Sequence, residues 1–383
     1  MSSSWRFWLI SVAALTAISA ATVIGFSHWT VARQSASTAD RLMLLAELRR
    51  GAVEQYLATA SAELKFWSTS PQILEVYSRL VATWRSEVAS ASSQRKSYIH
   101  DNPFPLGERA QLSSAGESAY DELHKSLHGM ARKFVSERGY YDFFLISNDG
   151  DIVYTVEKED DFATNLLTGA YKGTGLAEVF RKAVESSGEV VFSDLERYAP
   201  SDGAPALFMA ITLRSEDTSS AIDGVLALQL PTDKLLDIMN YTSGMGRSGE
   251  TFLVGEDHLM RSNSRFLEVS TVLEQRVLSP TVTAALAGGE GVELISDYRG
   301  VPVMSAYTSI EVGEYRWALL AEMDVEEITD NAALPLSSVA GLLTLFYSLG
   351  LWSLWYLRIK DTSEPSLAGD MLDSFSEDMS LEQ

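Results

Sequence analysis

The stretch Tyr140–Val156, YYDFFLISNDGDIVYTV, decides the fold of this chain. β-Branched and aromatic residues dominate both of its halves, which is typical of strands. Between the halves stand Asn148, Asp149 and Gly150, the residue types that a tight hairpin turn requires, because they tolerate left-handed backbone conformations. The stretch therefore predicts two antiparallel strands at the start of a sheet.

A second copy of this plan begins near Gly249. There GETFLVGEDHLMRSNSRF again predicts a strand, a polar turn and a strand. Further along, GEVVFSDLERYAPSDGAPALFMAITL and GVLALQLPTDKL match GVELISDYRGVPVMSAYTSI and WALLAEMDVEEI, which aligns Asp194 with Asp297. Each copy also predicts one short helix, around residues 176–185 and 281–287. The repeat indicates two tandem α+β modules of about 100 residues each.

A long helical region precedes the first module. Ser37–Asp40 form a capping-box pattern that predicts the start of a helix. Apolar residues then recur at helical spacing, at Leu42, Leu45, Leu48, Val53, Tyr56, Ala60, Leu64 and Trp67. Ser70 and Pro71 predict the cap and first residue of a second helix. Its apolar face comprises Ile73, Tyr77, Leu80, Val81, Trp84 and Val88. The stripe on the first helix can pair with a second copy of the chain or pack on its own domain.

Two uncharged segments, Phe7–Phe26 and Leu336–Leu357, are long enough to cross a bilayer. At about 1.5 Å per residue each reaches roughly 30 Å, the thickness of the hydrocarbon core. Arg6 precedes the first segment, whereas Arg358 and Lys360 follow the second, so the positive-inside rule predicts that both chain ends are cytoplasmic. A cleaved signal peptide is the alternative for the first segment. In either case the middle of the chain is exported.

Composition excludes several classes of function. The 383 residues carry a formal net charge of −22, and no basic patch interleaved with aromatic residues is present, so we expect no nucleic-acid partner. The absence of cysteine excludes disulfides, thiol catalysis and thiolate metal sites. No Ser/His/Asp order, phosphate-binding loop or catalytic carboxylate pair can be singled out, so an enzymatic function has little support.

The order of these motifs resembles a double Cache sensor region, the PAS-like extracytoplasmic module of bacterial chemoreceptors, sensor kinases and some membrane cyclases. It looks most like the sensory half of methyl-accepting chemotaxis proteins. The resemblance rests on YIHDNPFPLGER, GYYDFFLISNDGDIVYTV, FATNLLTGAYKG, VVFSDLERYAPSDGAPALFMA, LMRSNSRF and WALLAEMD. It implies an α+β fold with a long N-terminal helix and two tandem Cache modules, flanked by two transmembrane helices. It also implies a small-molecule ligand in the membrane-distal module and a homodimer formed through the N-terminal helices.

The predicted organisation has seven parts. They are a cytoplasmic N-terminus at 1–6, a transmembrane helix at 7–26, a long helical region at 38–139, a membrane-distal module at 140–243, a membrane-proximal module at 244–330, a second transmembrane helix at 336–357 and an acidic cytoplasmic tail at 358–383. Receptors of the resembling family normally continue into a HAMP linker and an output domain. The tail has a net charge of −5, and Pro365 and Gly369 interrupt helix formation there. We therefore expect a separate signalling protein in or at the membrane.

In the resembling family, the hairpin strands and the loop crossing over them line the ligand pocket. That correspondence gives the predicted ligand contacts Tyr154, Lys158, Asp161, Tyr171, Asp194, Tyr198 and Phe208. Amino-acid sensors of the family carry an Arg-x-Trp-Tyr clamp, but this chain has NLLTGAYKGTG in that region, and Ala199 and Pro200 follow Tyr198. An amino acid bound in that manner is disfavoured, and the ligand's identity stays open.

Two other motifs suggest cofactors, and neither is favoured. Gly244, Gly246 and Gly249 spell GxGxxG, but a helix is predicted before them and a strand after them, the reverse of a dinucleotide-binding motif. His124 and His128 lie one helical turn apart, with Asp121 a turn earlier and His100 nearby, a spacing that could hold a metal. Ordinary hydrogen bonds are the favoured interpretation, because HExxH is absent and no fourth ligand can be identified. We expect no catalytic residues, no metal and no cofactor.

The sequence thus predicts a sensor anchored in the bacterial inner membrane, with residues 27–335 periplasmic and no output domain of its own. The alternative is an interaction or scaffold protein, or a receptor remnant, whose Cache fold binds nothing. A periplasmic enzyme ranks last.

Overall fold

The computed structural model describes residues 3–86, 90–186, 188–214 and 224–363. Val88 and most of the predicted acidic tail, residues 364–383, lie outside the described residues. The chain forms two compact units, one comprising Met1–Thr38 with Glu326–Gln383 and the other Ala39–Val325. The second unit contains the predicted membrane-distal module and the predicted membrane-proximal module as far as Val325.

The described residues of Ala39–Val325 form ten strands in two antiparallel sheets. The strands are β1 (Asp142–Ser147), β2 (Ile152–Thr155), β3 (Val191–Phe192), β4 (Glu196–Tyr198), β5 (Ala204–Leu213), β6 (Gly224–Leu230), β7 (Glu250–Val254), β8 (Gly291–Ser296), β9 (Pro302–Val312) and β10 (Tyr315–Asp324). The first module holds the order β2-β1-β6-β5-β3, with β4 also paired to β5, and the second holds β7-β10-β9-β8. The predicted α+β class and tandem arrangement are confirmed.

The described residues also form α-helices. They are α1 (Ser3–Ser68), α2 (Pro71–Ser86), α3 (Ser90–Arg95), α4 (Ala119–Arg138), α5 (Gly175–Glu185), α6 (Thr232–Met239), α7 (Pro280–Leu286) and α8 (Val325–Ser363). The predicted start of α2 at Pro71 and the predicted short helices near 176–185 and 281–287 are confirmed by α2, α5 and α7.

The helix start predicted at Ser37–Asp40 is wrong, because α1 continues through these residues without a break. Adding a residue to an existing helix gains a hydrogen bond without the cost of forming a new helix nucleus. A capping pattern in the middle of a helix therefore does not interrupt the helix. Most of the predicted α1 stripe packs within its own unit, as the buried Val53 and Leu64 illustrate. Leu48, by contrast, is 59% exposed.

The first module is built around the predicted hairpin. β1 and β2 pair in antiparallel register, and Gly150 in the turn has a φ of +89°, the left-handed conformation that favours glycine. The core beneath the sheet joins the strands to α5 and includes Phe144, Tyr198 and Phe208. The predicted strand, turn and strand are confirmed here.

The second module follows the prediction less closely. β7 is the expected first strand, but its expected partner forms only isolated bridges, at Leu259 and Met260. The backbone N–H of Met260 donates to Gln275 and that of Arg261 to Leu253, so the segment divides its hydrogen bonds between a loop and the sheet. A regular ladder cannot form under these conditions.

The other unit contains two helical segments that are long and apolar enough to cross a membrane. They lie within Trp8–Ser68 and Val339–Ile359, with mean hydropathies of 2.1 and 1.3, and neither apolar window is buried. The Thr16 and Tyr347 hydroxyl groups hydrogen-bond at 2.9 Å between the two helices. Gly350 permits their close approach, since a Cβ atom there would lie 3.2 Å from Leu15.

Candidate functional site

The candidate site is a buried polar cluster in the first module, and two strand residues begin it. Asp142 of β1 and Gln229 of β6 are direct register partners, and both are fully or almost fully buried. The Asp142 Oδ1 atom accepts hydrogen bonds from the backbone N–H groups of Val156 and Glu157, at 2.8 and 3.1 Å. Asp142 therefore fixes the start of the loop that follows β2.

That loop carries Asp161 toward a tyrosine on β4. The Tyr198 hydroxyl donates to the Asp161 Oδ2 atom at 2.6 Å, and the Tyr198 ring packs edge-on against Phe208 at 4.8 Å. All three side chains are fully buried. Burial raises the pKa of Asp161 to about 7, even though the hydrogen bond from Tyr198 favours the charged form.

A second branch of hydrogen bonds runs from the same loop to Gln229. Glu159 accepts from the hydroxyl groups of Tyr141 and Ser201, each at 2.6 Å. The Ser201 Oγ atom accepts in turn from Gln229 Nε2 at 3.3 Å. The loop and the central strand β6 thus belong to one polar network.

Lys158 brings a buried cation to the cluster. Its Nζ atom donates to the backbone carbonyl of Thr155 and lies 4.5 Å from the centre of the Tyr154 ring. Burial lowers the pKa of Lys158 to about 7, and the negative charges of Asp142, Glu157 and Asp161 partly oppose this shift. Lys158 also has a φ of 57°, a strained conformation for a side chain of this size.

The cluster holds more hydrogen-bond acceptors than donors. Among the described residues, Asp142 Oδ2, Asp161 Oδ1 and Gln229 Oε1 are buried and have no hydrogen-bond partner. Each buried, unpaired polar atom costs about 1–3 kcal/mol relative to a paired one. A group that brings hydrogen-bond donors to these oxygen atoms would therefore be stabilised here.

The structure brings six of the seven predicted ligand contacts into two neighbouring sets. Tyr171 packs against the core that contains Tyr198 and Phe208, which also places it near Asp161. Lys158 and Tyr154 form the other set. That these residues bind a ligand stays a prediction.

The seventh, Asp194, is directed at the second module instead. It accepts from Arg261 Nε at 3.1 Å and Nη2 at 2.7 Å, and from the indole N–H of Trp317 at 2.8 Å. The Arg261 side chain is 1% exposed, and Gly255 leaves it room, since a Cβ atom at Gly255 would lie 2.2 Å from Nη2. Asp194 is therefore the centre of a polar junction between the modules.

The histidine pair on α4 makes the hydrogen bonds that the sequence analysis favoured. His124 Nδ1 is 2.8 Å from the Ser113 carbonyl, and His128 is bonded to the Ala110 carbonyl at 2.7 Å and the Tyr154 hydroxyl at 2.8 Å. Burial lowers the pKa of His128 to about 3. Asp121 takes part in the capping box of α4.

The sequence analysis did not select Asp142, Glu159 or Gln229. A signal was available for two of them, because Asp142 opens the apolar run DFFLIS and Gln229 interrupts GVLALQL. A polar residue within a buried strand needs a partner or a role. Glu159 stands in the charged run EKEDD, where no local pattern distinguishes it from its neighbours.

Comparisons with known proteins show what this chain is similar to. No family model matches it. It is 19% identical over 340 residues to a protein of Sinorhizobium fredii named "Probable chemoreceptor y4sI", covering 87% of this chain and 41% of that protein. The chain thus spans about two fifths of the length of this relative. The predicted resemblance to chemoreceptor sensor regions is confirmed as a similarity.

Two solved structures are also similar to this chain. One is the ligand-binding domain of the Pseudomonas fluorescens chemoreceptor CtaA in complex with L-serine, with 16% identity, a TM-score of 0.38 and coverage of 66% of this chain and 94% of that one. The other is the periplasmic sensory domain of the Campylobacter jejuni chemoreceptor Tlp1, with 12% identity, a TM-score of 0.40 and coverage of 72% and 98%.

Proposed function

We propose that this chain is a membrane-anchored, non-enzymatic sensor whose first module binds a small molecule outside the cytoplasm. The observation that carries the proposal is the buried cluster with three unpaired acceptor atoms, on Asp142, Asp161 and Gln229. A folded protein rarely keeps such atoms unpaired, and a bound ligand is one way to pair them. The ligand contacts are Tyr154, Lys158, Asp161, Tyr171, Tyr198 and Phe208, whereas Asp194 acts at the junction.

Ligand screening by thermal unfolding tests this proposal. Ala39–Val325 contains both sheets and their cores, so we expect it to fold when expressed alone. A ligand at 100 times its dissociation constant adds about 2.7 kcal/mol to the free energy of unfolding, which raises the melting temperature measurably. The screen covers amines, organic acids, sugars, purines and metal ions.

Two variants locate the binding site. Asp161→Asn removes a buried charge but keeps an oxygen that can accept from Tyr198, and we expect at least tenfold weaker binding. Asp160→Asn is the matched control, because the Asp160 side chain is 57% exposed.

If no compound in the screen shifts the melting curve, the scaffold or receptor-remnant alternative replaces the sensor. The dense aromatic packing of Tyr198 and Phe208 is the observation that favours this alternative.

The proposal includes a homodimer formed through α1. The exposed face of α1 lies opposite its buried face and repeats at intervals of three and four residues, as two-helix coiled coils do. It comprises Leu44, Leu48, Gly51, Gln55, Ala58, Ala62 and Phe66. Leu48→Glu should convert the dimer to a monomer in analytical ultracentrifugation, whereas Leu278→Glu, at a 73% exposed leucine off this helix, should not. A dimer that survives Leu48→Glu would exclude this face.

The last part of the proposal concerns topology and output. The chain lies in the inner membrane with residues 27–335 periplasmic, so reporter fusions after Ser113 and Glu364 should be active on opposite sides of the membrane. An equal response from the two fusions would contradict this topology.

A signalling partner contacts α8 near Gly341 and Ser348, both exposed. Replacing both by Leu should abolish co-purification of the partner while ligand binding persists. Deleting 364–383 should have less effect, and the opposite order would place the contact on the tail.

A further inference from the structure

The second module holds a group of buried carboxylates that the sensor function does not use. Glu250, Asp297 and Glu322 come from three separate elements: the start of β7, the turn after β8 and the end of β10. One carboxylate oxygen from each lies within 4.8 Å of the others, and the residues are 1%, 8% and 2% exposed. Three carboxyl groups so close together and so far from water cannot all stay ionised without a compensating charge.

The surrounding groups hold each carboxylate in place. Glu250 accepts from the Tyr298 hydroxyl at 2.8 Å and from the Ser264 hydroxyl at 3.2 Å. Asp297 accepts from the backbone N–H groups of Arg299 and Val301, at 2.8 and 2.9 Å, within one tight turn. The geometry of the group is therefore fixed before any ligand arrives, as a binding site requires.

The nearby cation does not neutralise this group. Arg299 donates to Asp297 at 2.6 Å, but it also pairs with a fourth carboxylate, Asp324, at 2.7 Å. A single guanidinium is thus shared between two carboxylates. Glu250 and Glu322 are left with neutral hydroxyl partners.

Glu322 supplies a second, independent observation. Its Oε1 atom accepts from the Ser305 hydroxyl at 2.8 Å, but its Oε2 atom is buried and has no hydrogen-bond partner among the described residues. A buried carboxylate oxygen that has no hydrogen-bond partner and lies beside two further carboxylates is the kind of atom that coordinates a metal ion.

We propose that Glu250, Asp297 and Glu322 bind a hard divalent cation, Ca²⁺ in preference to Mg²⁺. The available donors are all oxygen atoms, with the hydroxyl groups of Ser264 and Tyr298 beside the carboxylates. Ca²⁺ accepts six to eight oxygen ligands in irregular arrangements, whereas Mg²⁺ demands a near-ideal octahedron and retains its water. The ion links β7, β10 and the turn after β8, so its binding stabilises the second module.

Calorimetric titration of the full-length protein in nanodiscs tests this proposal. After treatment with EDTA and its removal, CaCl₂ should bind with a stoichiometry of one ion per chain and raise the melting temperature. MgCl₂ should bind at least tenfold more weakly. Tb³⁺ provides a direct readout, since a lanthanide in this site lies near the Tyr298 ring, whose excitation should sensitise its luminescence. Excess Ca²⁺ should quench that signal.

Two variants separate this site from diffuse binding to an acidic protein. Glu322→Gln keeps the shape and the bond from Ser305 but removes the charge, and should weaken Ca²⁺ binding at least tenfold. Glu268→Gln, at an exposed acid of the same module, should bind as the natural chain does. The proposal fails if the unaltered protein binds no stoichiometric ion at millimolar Ca²⁺, or if Glu322→Gln binds equally well. The first of these outcomes needs no variant, so it tests the proposal even if Glu322→Gln does not fold. If no ion binds, protons neutralise the three carboxylates.

Discussion

Each module has a pair of opposed polar residues at the same position of its sheet, but the two pairs consist of different residue types. In the first module Asp142 of β1 is the register partner of Gln229 on β6, and in the second Glu250 of β7 is the partner of Glu322 on β10. Directly opposed residues of antiparallel strands point to the same face. A carboxylate therefore meets an amide in one module and a second carboxylate in the other.

The replacement of an amide by a carboxylate changes what each module can accept. The pair of Asp142 and Gln229 leaves an oxygen atom of each side chain without a hydrogen-bond partner among the described residues, which suits an organic ligand carrying hydrogen-bond donors. Two carboxylates joined by Asp297 concentrate charge instead, which suits an inorganic cation. Under the two proposals, one scaffold divides ligand sensing and ion-dependent stabilisation between its two copies.

The largest effect is expected at the junction where the modules meet. Asp194→Asn leaves the Arg261 guanidinium, which is 1% exposed, with Asp257 as its one charged partner among the described residues. Removing one member of a buried ion pair costs about 3–5 kcal/mol. Because Asp194 is 27% exposed and Asp257 remains, we expect a loss of about 2–3 kcal/mol in urea unfolding of Ala39–Val325.

A matched control and a double variant sharpen this test. Asp237→Asn, at an exposed acid on α6, should leave the free energy of unfolding unchanged. Adding Arg261→Met to Asp194→Asn should restore part of the loss, since the unpaired cation is gone. Additive losses in the double variant would mean that Asp194 and Arg261 act independently, and the junction would not couple the modules.

The sequence predicts those parts of the fold that are determined by residues close together in the chain. The hairpin at Asn148–Gly150 and the helix start at Pro71 are specified within a few positions by turn and capping chemistry. The tandem repeat was visible because both copies keep the same order of strands and helix. The sequence pattern did not predict the continuity of α1, because a capping pattern reflects local preference and does not show whether a helix has already begun upstream.

The contacts of the site depend on residues far apart in the chain. Asp194 meets Arg261 and Trp317, which lie 67 and 123 residues away, so no local pattern distinguishes a pocket residue from a junction residue. The partnership of Asp142 with Gln229 likewise needs the register of β1 against β6. Family resemblance supplied the neighbourhood of Asp161 and Tyr198, whereas only the fold supplies their hydrogen bond.

Gln229→Glu gives the first module the carboxylate pair of the second and should have an intermediate effect. A glutamate opposite Asp142 adds a buried negative charge beside an existing one. We expect a loss of about 2 kcal/mol in urea unfolding at pH 7.5, and less at pH 5, where the new carboxyl group takes up a proton. Gln229→Met, which adds no charge, should show a loss that does not vary with pH. If Gln229→Glu is as stable as the natural chain at both pH values, the two polar pairs are not equivalent.

The smallest effect concerns the pH dependence of the first module. The pKa of Asp161 is raised to about 7 in the fold, above its ordinary value of 3.8. A raised folded pKa contributes stability that is fully present below the unfolded pKa and is lost as the pH rises to the folded one. Asp161→Asn has no such proton to lose, so its free energy of unfolding should rise by about 1–2 kcal/mol relative to the natural chain between pH 5.5 and 7. Urea unfolding across this range measures the difference, with Asp160→Asn as the exposed control. Parallel curves for Asp161→Asn and the natural chain would show that Asp161 is not the group that makes the stability of this module depend on pH.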